Sequence, residues 1–401
     1  MLGKTFALLA LTASIGAFTI SPSLASSKST TENSPWYDTN SNAALSRANL
    51  SERVLSRSTV TKVKYLRSVV GPPLSPKAPC LQATIAAPVL VGGYLYAITA
   101  GKISKYNAAT GSLIWRRTPN QTFIYKSLAV SDNLVIAGGR FCESESEPGG
   151  IVDAFNVSTG ALVWSSGTQA FTAAVAASSY VVIEGTNAAG DTTTVLNVTD
   201  GKQVWSSPGC GGSSTTEPIV VDSLVMSSGC SGNPQDPGAI QANDLATGAL
   251  AWSLTGNWSL LLGDQSGPNG KHLYAIDPTG TIVDLNPLTG QVEYSLTQAD
   301  TVLAVDSSRV YATCGNQPDI CGYNSGTGAL EWQDTPINFP GLAAEADGVL
   351  YLNYGSALNT ATGLRMTSIW TTGGDPLAVG DGRIAIGGGP RIIDLYGLQG
   401  Y

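Results

Sequence analysis

The chain has a single histidine, and this scarcity removes several classes of chemistry. His272 lies inside an apolar, strand-like run, so we expect it to pair within a sheet. A lone histidine of this kind does not supply a Ser/His/Asp triad or a histidine-based metal site. No Cys-x-x-Cys-His sequence is present, which excludes covalent attachment of a c-type haem.

Charge is also scarce. Only 12% of the residues are charged, and the formal net charge is −8. No basic patch stands out in this composition, so nucleic acid is a poor partner on electrostatic grounds. Beyond the N-terminus no apolar run approaches the 18 or so residues that cross a bilayer. We therefore predict a mature chain without a transmembrane segment.

The N-terminus has the pattern of an export signal. Lys4 supplies a small positive region, Phe6 to Ile20 forms an apolar core, and Ser23-Leu24-Ala25 fits the small-x-small cleavage rule. We predict a signal peptide over residues 1–25 and a secreted product, extracellular or periplasmic. Residues 26–58 are rich in Ser, Thr and Asn, and we expect them to form an exposed leader before a single domain at 59–401.

A short motif recurs along the rest of the chain. Thr-Gly, or once Asp-Gly, is followed four residues later by Trp or a substitute, as in Thr247-Gly248-Ala249-Leu250-Ala251-Trp252. The motif glycines are Gly111, Gly160, Gly201, Gly248, Gly290, Gly328 and Gly363, separated by 49, 41, 47, 42, 38 and 35 residues. Alternating apolar runs flank each turn, which is the pattern of β-hairpins, and a period near 40 is typical of propellers. The sequence therefore predicts an all-β fold.

Each repeat contains four strands, A to D, with Thr-Gly between C and D and the Trp on D. Eight copies can be counted, but the last ends after strand C, at Arg391–Tyr396. The run Thr61–Val70 has no preceding strands and can supply the missing strand D, with Tyr65 at the Trp position. Closing the ring in this way hides two sheet edges. We predict an eight-bladed β-propeller of four-stranded antiparallel blades closed by the N-terminal strand. The alternative is seven blades, with the weak unit at 341–370 absorbed differently.

The six cysteines suggest disulfides in an exported chain. In an up-and-down blade the D–A and B–C loops emerge on one face, and the A–B and C–D turns emerge on the other. Cys314 and Cys321 bracket one B–C loop, and all six cysteines then fall on the D–A/B–C face. The strand map predicts the pairs Cys80–Cys142, Cys210–Cys230 and Cys314–Cys321.

The same face is the expected ligand face, because the A strands bring their first residues to the mouth of the central channel. Aligned A strands place eight residues there: Ala87, Lys126, Thr172, Glu217, Trp258, Asp300, Pro340 and Asp375. One cation, three carboxylates and one indole around a funnel can hold a polar ligand. They can equally be a ring of solvated residues in a water-filled pore.

The repeats resemble the pyrroloquinoline quinone (PQQ) repeat, as in Val152-Asp153-Ala154-Phe155-Asn156-Val157-Ser158-Thr159-Gly160-Ala161-Leu162-Val163-Trp164. The leader, with Trp36-Tyr37 and Arg47–Glu52, resembles the segment that precedes the propeller in eight-bladed quinoprotein alcohol dehydrogenases. This resemblance implies a PQQ- and calcium-dependent alcohol or sugar dehydrogenase. Its implied roles are general base for Asp300, cofactor contacts for Trp258 and Lys126, and calcium ligands for Glu217 and Asp375.

The sequence departs from those enzymes in three ways. It lacks their adjacent-cysteine disulfide ring, their His-Asp-x-Trp-Asp segment and their long insertions. The same repeat also builds non-catalytic scaffolds, such as the lipoprotein of outer-membrane β-barrel assembly. We therefore expect a binding or scaffold protein without a cofactor, whose partner is a protein, a cell-surface polymer or a small polar ligand. The dehydrogenase and a carbohydrate-binding module that uses Trp258 are the alternatives.

Overall fold

Eight four-stranded antiparallel sheets form a ring in the computed structural model, so the eight-bladed propeller is confirmed and the seven-bladed alternative is wrong. The structure describes residues 34, 37–38, 40–73, 87–118, 123–131, 133–141, 149–168, 173–177, 179–187, 190–207, 217–229, 239–267, 270–315, 319–335, 341–370, 377–389 and 391–401. The predicted signal peptide at 1–25 lies outside these residues. No helix in the described ranges is long and apolar enough to cross a membrane.

Strands A to D follow one another along the chain in blades 1 to 7. Blade 1 contains Val89–Val91, Tyr94–Thr99, Lys102–Asn107 and Leu113–Arg117. Blade 2 contains Phe123–Ser131, Leu134–Phe141, Gly150–Asn156 and Leu162–Thr168. Blade 3 contains Ala173–Ala177, Tyr180–Asn187, Gly190–Asn197 and Gln203–Ser206. Blade 4 contains Ile219–Val221, Leu224–Gly229, Ala239–Asp244 and Leu250–Leu254.

The second half of the ring repeats the same order. Blade 5 contains Ser259–Gly267, Gly270–Ile276, Ile282–Leu285 and Val292–Ser295. Blade 6 contains Ala299–Val305, Arg309–Cys314, Asp319–Asn324 and Leu330–Asp334. Blade 7 contains Ala343–Ala346, Val349–Leu352, Ser356–Asn359 and Arg365–Ser368. Blade 8 takes strands A to C from Leu377–Gly380, Arg383–Gly387 and Ile392–Gly397 and strand D from Lys64–Val70, which follows a 3₁₀ turn at Val60–Lys62.

The N-terminal strand closes the ring as predicted, with Tyr65 opposite Tyr396 and Val70 opposite Ile392. The predicted role of Tyr65 is wrong, however. Tyr65 occupies the register of Leu113 in blade 1, two residues before Trp115, so Arg67 takes the Trp position. A Cβ placed on Gly111 would lie 2.9 Å from Cδ of Arg67. Tyr65 is 52% exposed, makes an edge contact with the Tyr396 ring, and has its hydroxyl 2.8 Å from the Ser68 hydroxyl.

The repeated motif joins neighbouring blades. In five blades the indole of strand D covers the motif glycine of the next blade, and its Nε1–H donates to the carbonyl three residues before that glycine. These hydrogen bonds are Trp115 to Val157 (3.0 Å), Trp164 to Val198 (2.9 Å), Trp205 to Leu245 (2.9 Å), Trp252 to Pro287 (2.8 Å) and Trp332 to Thr360 (2.8 Å). Tyr294 replaces Trp between blades 5 and 6, where its hydroxyl donates to the Ser325 carbonyl. The aromatic residues therefore serve interblade packing.

Part of the leader that we predicted to be exposed is buried. Residues 40–49 line the inside of the ring, and Ala44, Leu45, Ser46 and Asn49 are buried. Strand A is the innermost strand of each blade, and its inner edge leaves backbone N–H groups that need acceptors. In blades 2, 4, 5, 6 and 7, strand A donates one such N–H to the leader. The bonds run from Val130 to Tyr37 O, Val220 to Ala43 O, Gly263 to Ala44 O, Val305 to Ser46 O and Glu345 to Arg47 O, at 2.8–2.9 Å.

The two ends of this segment reach blades 3 and 8. Ala176 N–H donates to Asp38 Oδ2, Asp381 N–H donates to Ser34 O, and the Asn49 amide donates to Val379 O. A short strand, Ala48–Asn49, also pairs in parallel with strand A of blade 7. We call the described residues from 34 to 49 the inner belt. It contacts blades 2 to 8 and lies toward the A–B turn end of the channel.

One disulfide falls among the described residues. Cys314 and Cys321 are joined as predicted, with their Cα atoms 6.0 Å apart, across the B–C loop of blade 6. Cys80, Cys142, Cys210 and Cys230 lie outside the described residues, so their pairing stays a prediction.

Candidate functional site

The inner belt places polar groups inside the channel, next to one of the predicted site residues. The Asn40 amide donates to Oε2 of Glu217, which lies just before strand A of blade 4. Arg47 is fixed by its Nε–H bond to Asn40 Oδ1 at 3.0 Å and by a longer bond to the Leu303 carbonyl at 3.4 Å. The belt thus supplies both the hydrogen bond and the positive charge that a carboxylate in a narrow channel requires.

The electrostatics of Glu217 follow from this position. Burial raises its pKa, while the charge of Arg47 and the hydrogen bond from Asn40 act in the opposite direction. The carboxylate therefore depends on the belt for its stability. Removal of these two partners would leave Glu217 desolvated without compensation.

Among the described residues, no hydrogen bond or ion pair joins the predicted mouth residues Lys126, Trp258 and Asp300 to Glu217. Lys126 and Asp300 are exposed on irregular positions of strand A in blades 2 and 6, where β-bulges turn them out of register. Trp258 is half-buried, and its Nε1–H donates to the Thr255 carbonyl at 3.2 Å. Thr172, Pro340 and Asp375 lie outside the described residues.

Lys126 has a neighbour that the sequence reasoning missed. Arg140 lies near the end of strand B, beside the bulge that carries Lys126. Partial burial, together with the charge of Arg140, lowers the pKa of Lys126. Two cations held side by side without a carboxylate attract an anionic group.

This pair lies in residues 59–141, which we call the basic sector. The composition of the whole chain does not show this local excess of positive charge. Residues 59–141 contain one acidic residue, Asp132, and ten basic ones, whereas residues 142–401 contain 25 acidic and six basic residues. The ten are Lys62, Lys64, Arg67, Lys77, Lys102, Lys105, Arg116, Arg117, Lys126 and Arg140. Every salt bridge between described residues involves a base outside this group. A count of charge per blade would have revealed this asymmetry.

A second polar cluster lies within blade 5. His272 and Asp284 are both buried, with Nδ1 of the ring 2.7 Å from Oδ2 of the carboxylate. Asp284 Oδ1 accepts the N–H of Leu273 at 3.1 Å, and the Tyr274 and Tyr294 hydroxyls are 2.9 Å apart beside the pair. His272 thus pairs within its sheet as predicted.

The His272 cluster has the composition of a metal site, but most of its ligand atoms are already engaged; His272 Nε2 has no hydrogen-bond partner among the described residues. The ligand atoms of His272, Asp284 and Glu293 lie within 4.8 Å of one another, and these three form the one such group in the described part of the chain. Both oxygens of Asp284 already accept hydrogen bonds, and Glu293 accepts the Asn286 amide at 2.9 Å. We interpret the cluster as a buried ion pair that orders blade 5.

With the geometry in place, comparison with known proteins identifies the family. The family model PQQ_2, described as outer membrane protein assembly factor BamB, matches residues 37–208 and 148–372. The chain belongs to this PQQ-like repeat family. The match begins within the inner belt and extends through blade 7. A search among curated proteins finds no sequence match.

Solved structures share the fold at low sequence identity. A computationally designed protein has a TM-score of 0.63 at 19% identity, covering 83% of this chain and 99% of its own. BamB from Moraxella catarrhalis has a TM-score of 0.56 at 18% identity, covering 84% and 99%. A quinohemoprotein alcohol dehydrogenase from Pseudomonas putida has a TM-score of 0.67 at 14% identity, covering 92% and 81%. These similarities show a PQQ-like propeller and leave the activity open.

The buried acids of this propeller predict an unusual pH dependence. Burial raises the pKa of Glu217, Glu345, Asp284 and Asp381 above their ordinary values. Burial opposes protonation of His272, but Asp284 outweighs it and raises the pKa of the ring. Each of these groups holds its proton to higher pH in the folded state than in the unfolded state. The folded protein therefore binds more protons, and stability falls as pH rises.

We expect urea denaturation to give a larger free energy of unfolding near about pH 5 than near about pH 8. The carboxylate contribution begins to disappear above the ordinary values of 3.8 and 4.5, and the His272 contribution disappears as pH passes its raised pKa. The exposed residues Asp200, Asp244 and Asp277 have lowered pKa values. Their contribution makes stability rise with pH, but only below about pH 4. Greater stability at the higher pH would contradict this assignment.

Proposed function

We propose that this PQQ-like propeller is an exported, non-catalytic binding or scaffold protein that docks a partner protein on its D–A/B–C face. The observation that carries the proposal is the engagement of Glu217 by Asn40 and Arg47. The family resemblance assigns this carboxylate to calcium, yet the chain's own belt occupies it. A channel filled in this way suits a rigid platform better than a cofactor chamber.

The described residues do not fit a PQQ and calcium site, and the second predicted calcium ligand, Asp375, lies outside them. A guanidinium beside Glu217 repels a cation, and Glu217 is not grouped with two further ligand residues in the described ranges. Asp300 is exposed rather than enclosed, and the Trp258 indole is bound to its own loop. We therefore derive no catalytic step through this cofactor.

The basic sector suggests the chemistry of the partner. Three cations of this sector lie at the D–A/B–C ends of blades 1 and 2, the exposed Lys126 and Arg140 and the half-buried Lys102, and no salt bridge between described residues includes them. Exposed unpaired cations steer association with an acidic surface. The family description, an outer membrane protein assembly factor, agrees with a role that is exercised through other proteins. We propose an acidic protein segment as the partner.

One binding experiment tests both parts of the proposal. A short fluorescent polyglutamate peptide should bind the protein at low salt, and its affinity should fall as salt increases. The double variant Lys126→Glu/Arg140→Glu should weaken binding at least about tenfold, since two attractive contacts become repulsive. Lys202→Glu, on a C–D turn of the opposite face, is the matched control and should bind like the native protein.

Addition of PQQ and Ca²⁺ to the same samples should leave tryptophan fluorescence unchanged and give no dye reduction with an alcohol or an aldose. Turnover that Asp300→Ala abolishes would establish the dehydrogenase and overturn the proposal. Peptide binding that is equal in the double variant and in the native protein would remove the assignment of the face. Displacement of the peptide by an oligosaccharide, lost in Trp258→Ala, would favour the carbohydrate-binding module.

A further inference from the structure

A cavity of about 420 Å³ lies on the face opposite the predicted ligand face. Its walls come from four places: the A–B turn of blade 6 at 306–309, strand A and the A–B turn of blade 7 at 345–348, the C–D turn of blade 7 at 360–361, and the leader at residues 50–57. The leader thus completes the cavity after leaving the inner belt. A cavity of this size accommodates a small molecule.

Glu345 contributes an unmet acceptor to this cavity. Its side chain is 2% exposed, and Oε1 accepts the Gly348 N–H at 2.8 Å, while Oε2 has no hydrogen-bond partner among the described residues. Burial raises the pKa of this carboxyl well above its ordinary range, and the nearby charges of Asp306 and Asp347 raise it further. A buried carboxylate oxygen without a donor is costly and marks a place where a donor can bind.

Asp306 also lines the cavity, but unlike Glu345 it has both carboxylate oxygens hydrogen-bonded. Oδ1 accepts the N–H of Ser308 at 2.7 Å and the N–H of Arg309 at 2.8 Å, and Oδ2 accepts the Tyr311 hydroxyl. Its hydrogen-bonding capacity is met by its own turn. Glu345 is therefore the buried carboxylate in this cavity that is left with an open acceptor, whereas Asp347, which also lines it, is half-buried and lies 3.9 Å from Arg53.

Arg57 supplies the opposite charge. Its side chain is exposed and packs over Gly348, where an added Cβ would lie 2.8 Å from Nε. It forms no hydrogen bond or ion pair with the part of the chain that the structure describes. The other two arginines are engaged, because Arg53 donates to the Leu50 and Glu52 carbonyls and Arg309 pairs with Glu331 at 2.6 Å.

We propose that this cavity binds a small zwitterion, with its ammonium group at Oε2 of Glu345 and its carboxylate at Arg57. The ligand supplies the two groups that the cavity walls leave unmatched, a charged donor for the buried acid and an anion for the guanidinium. Because the cavity is on the opposite face, the proposal is independent of the docking surface described above.

Isothermal titration calorimetry with matched probes tests the proposal. Glycine and 4-aminobutyrate carry both charges, whereas butylamine carries only the ammonium and butyrate only the carboxylate. We expect at least one of the two zwitterions to bind at least about tenfold more tightly than both single-charge probes. If neither zwitterion binds at about 10 mM, or if a single-charge probe binds equally well, the proposal is wrong.

Variants assign the binding to this cavity. Glu345→Gln and Arg57→Ala should each weaken zwitterion binding at least about tenfold. Glu293→Gln and Arg365→Ala remove an exposed carboxylate and an exposed guanidinium from other outer strands and should bind like the native protein. Arg57 is at the surface, so its variant keeps the test valid if Glu345→Gln does not fold. Native affinity in Arg57→Ala would overturn the proposal.

Proton release provides a readout beyond affinity. An ammonium group beside Glu345 lowers the raised pKa of the carboxyl, so binding near about pH 6 should expel protons into the buffer. The heat of binding should then differ between buffers of different ionisation enthalpy. This difference should vanish in any binding that remains in Glu345→Gln, and its absence in the native protein would contradict the placement of the ammonium group.

Discussion

Replacement of Glu52 by alanine is expected to lower the free energy of unfolding by about 3–5 kcal/mol, although this residue lies outside every blade. Glu52 is fully buried, and Oε1 accepts the N–H groups of Arg53, Val54 and Leu55 at 3.1, 2.7 and 3.1 Å. Oε2 accepts the Ser34 hydroxyl at 2.8 Å and the Gly382 N–H at 3.0 Å. One carboxylate therefore joins both ends of the inner belt to blade 8, where the ring closes.

Urea denaturation of Glu52→Ala and two comparison variants measures this effect. Glu52→Gln keeps one carbonyl oxygen as an acceptor but cannot satisfy both sets of donors, so we expect an intermediate loss of about 1–3 kcal/mol. Glu293→Ala removes an exposed glutamate that accepts only the Asn286 amide and should change stability by less than about 0.5 kcal/mol. If Glu52→Ala costs no more than Glu293→Ala, the belt does not stabilise the closed ring.

The fold was predictable because its information is local. Each Thr-Gly turn, with its flanking alternation, specifies one hairpin, and the spacing of the glycines specifies how often the hairpin recurs. The incomplete last repeat and the orphan strand Thr61–Val70 then specify closure. Arg67 escaped notice because the run Thr61–Val70 has no Thr-Gly turn from which the aromatic position can be counted, and its one aromatic residue, Tyr65, lies two residues too early.

The inner belt could not be predicted from the sequence, because its contacts with the blades are made largely by backbone carbonyl oxygens, which every residue type has. Ala43, Ala44, Ser46 and Arg47 accept hydrogen bonds through their carbonyl oxygens from four successive blades. Small and polar side chains suit a narrow channel, yet in sequence they look like an exposed linker. No periodicity marks a segment that advances by only one or two residues per blade.

The functional residues were only partly accessible for a related reason. Lys126 and Glu217 could be singled out from the sequence, but their neighbours come from elsewhere in the chain, Arg140 from the next strand and Asn40 from the belt. Glu345 sits in the short run Ala343–Ala346, where an acid among alanines gave no sign of burial. Its environment arises from two blades and the leader together.

Gly160→Ala should destabilise the protein by about 2–5 kcal/mol, because the motif glycine meets two requirements at once. Its φ of +67° is unfavourable for any residue with a side chain, and an added Cβ would lie 2.7 Å from Cδ2 of Trp115 in blade 1. Gly280→Ala separates these effects, since Gly280 has a φ of +85° and no atom within 4 Å of the added Cβ. It should cost about 1–2 kcal/mol for the backbone alone.

A double-mutant cycle shows whether the cost of Gly160→Ala in excess of that of Gly280→Ala comes from the clash with the Trp115 indole. In the Trp115→Ala background the added Cβ of Gly160→Ala meets no ring, so its cost should fall to that of Gly280→Ala. Trp115→Ala itself should cost about 3–5 kcal/mol, since it also removes the Nε1–H bond to Val157 that spans the two blades. If the cost of Gly160→Ala is the same in both backgrounds, the glycine serves only its own turn. The recurrence of Gly and Trp would then reflect two separate requirements within each blade, and the contact between neighbouring blades would not explain their fixed spacing.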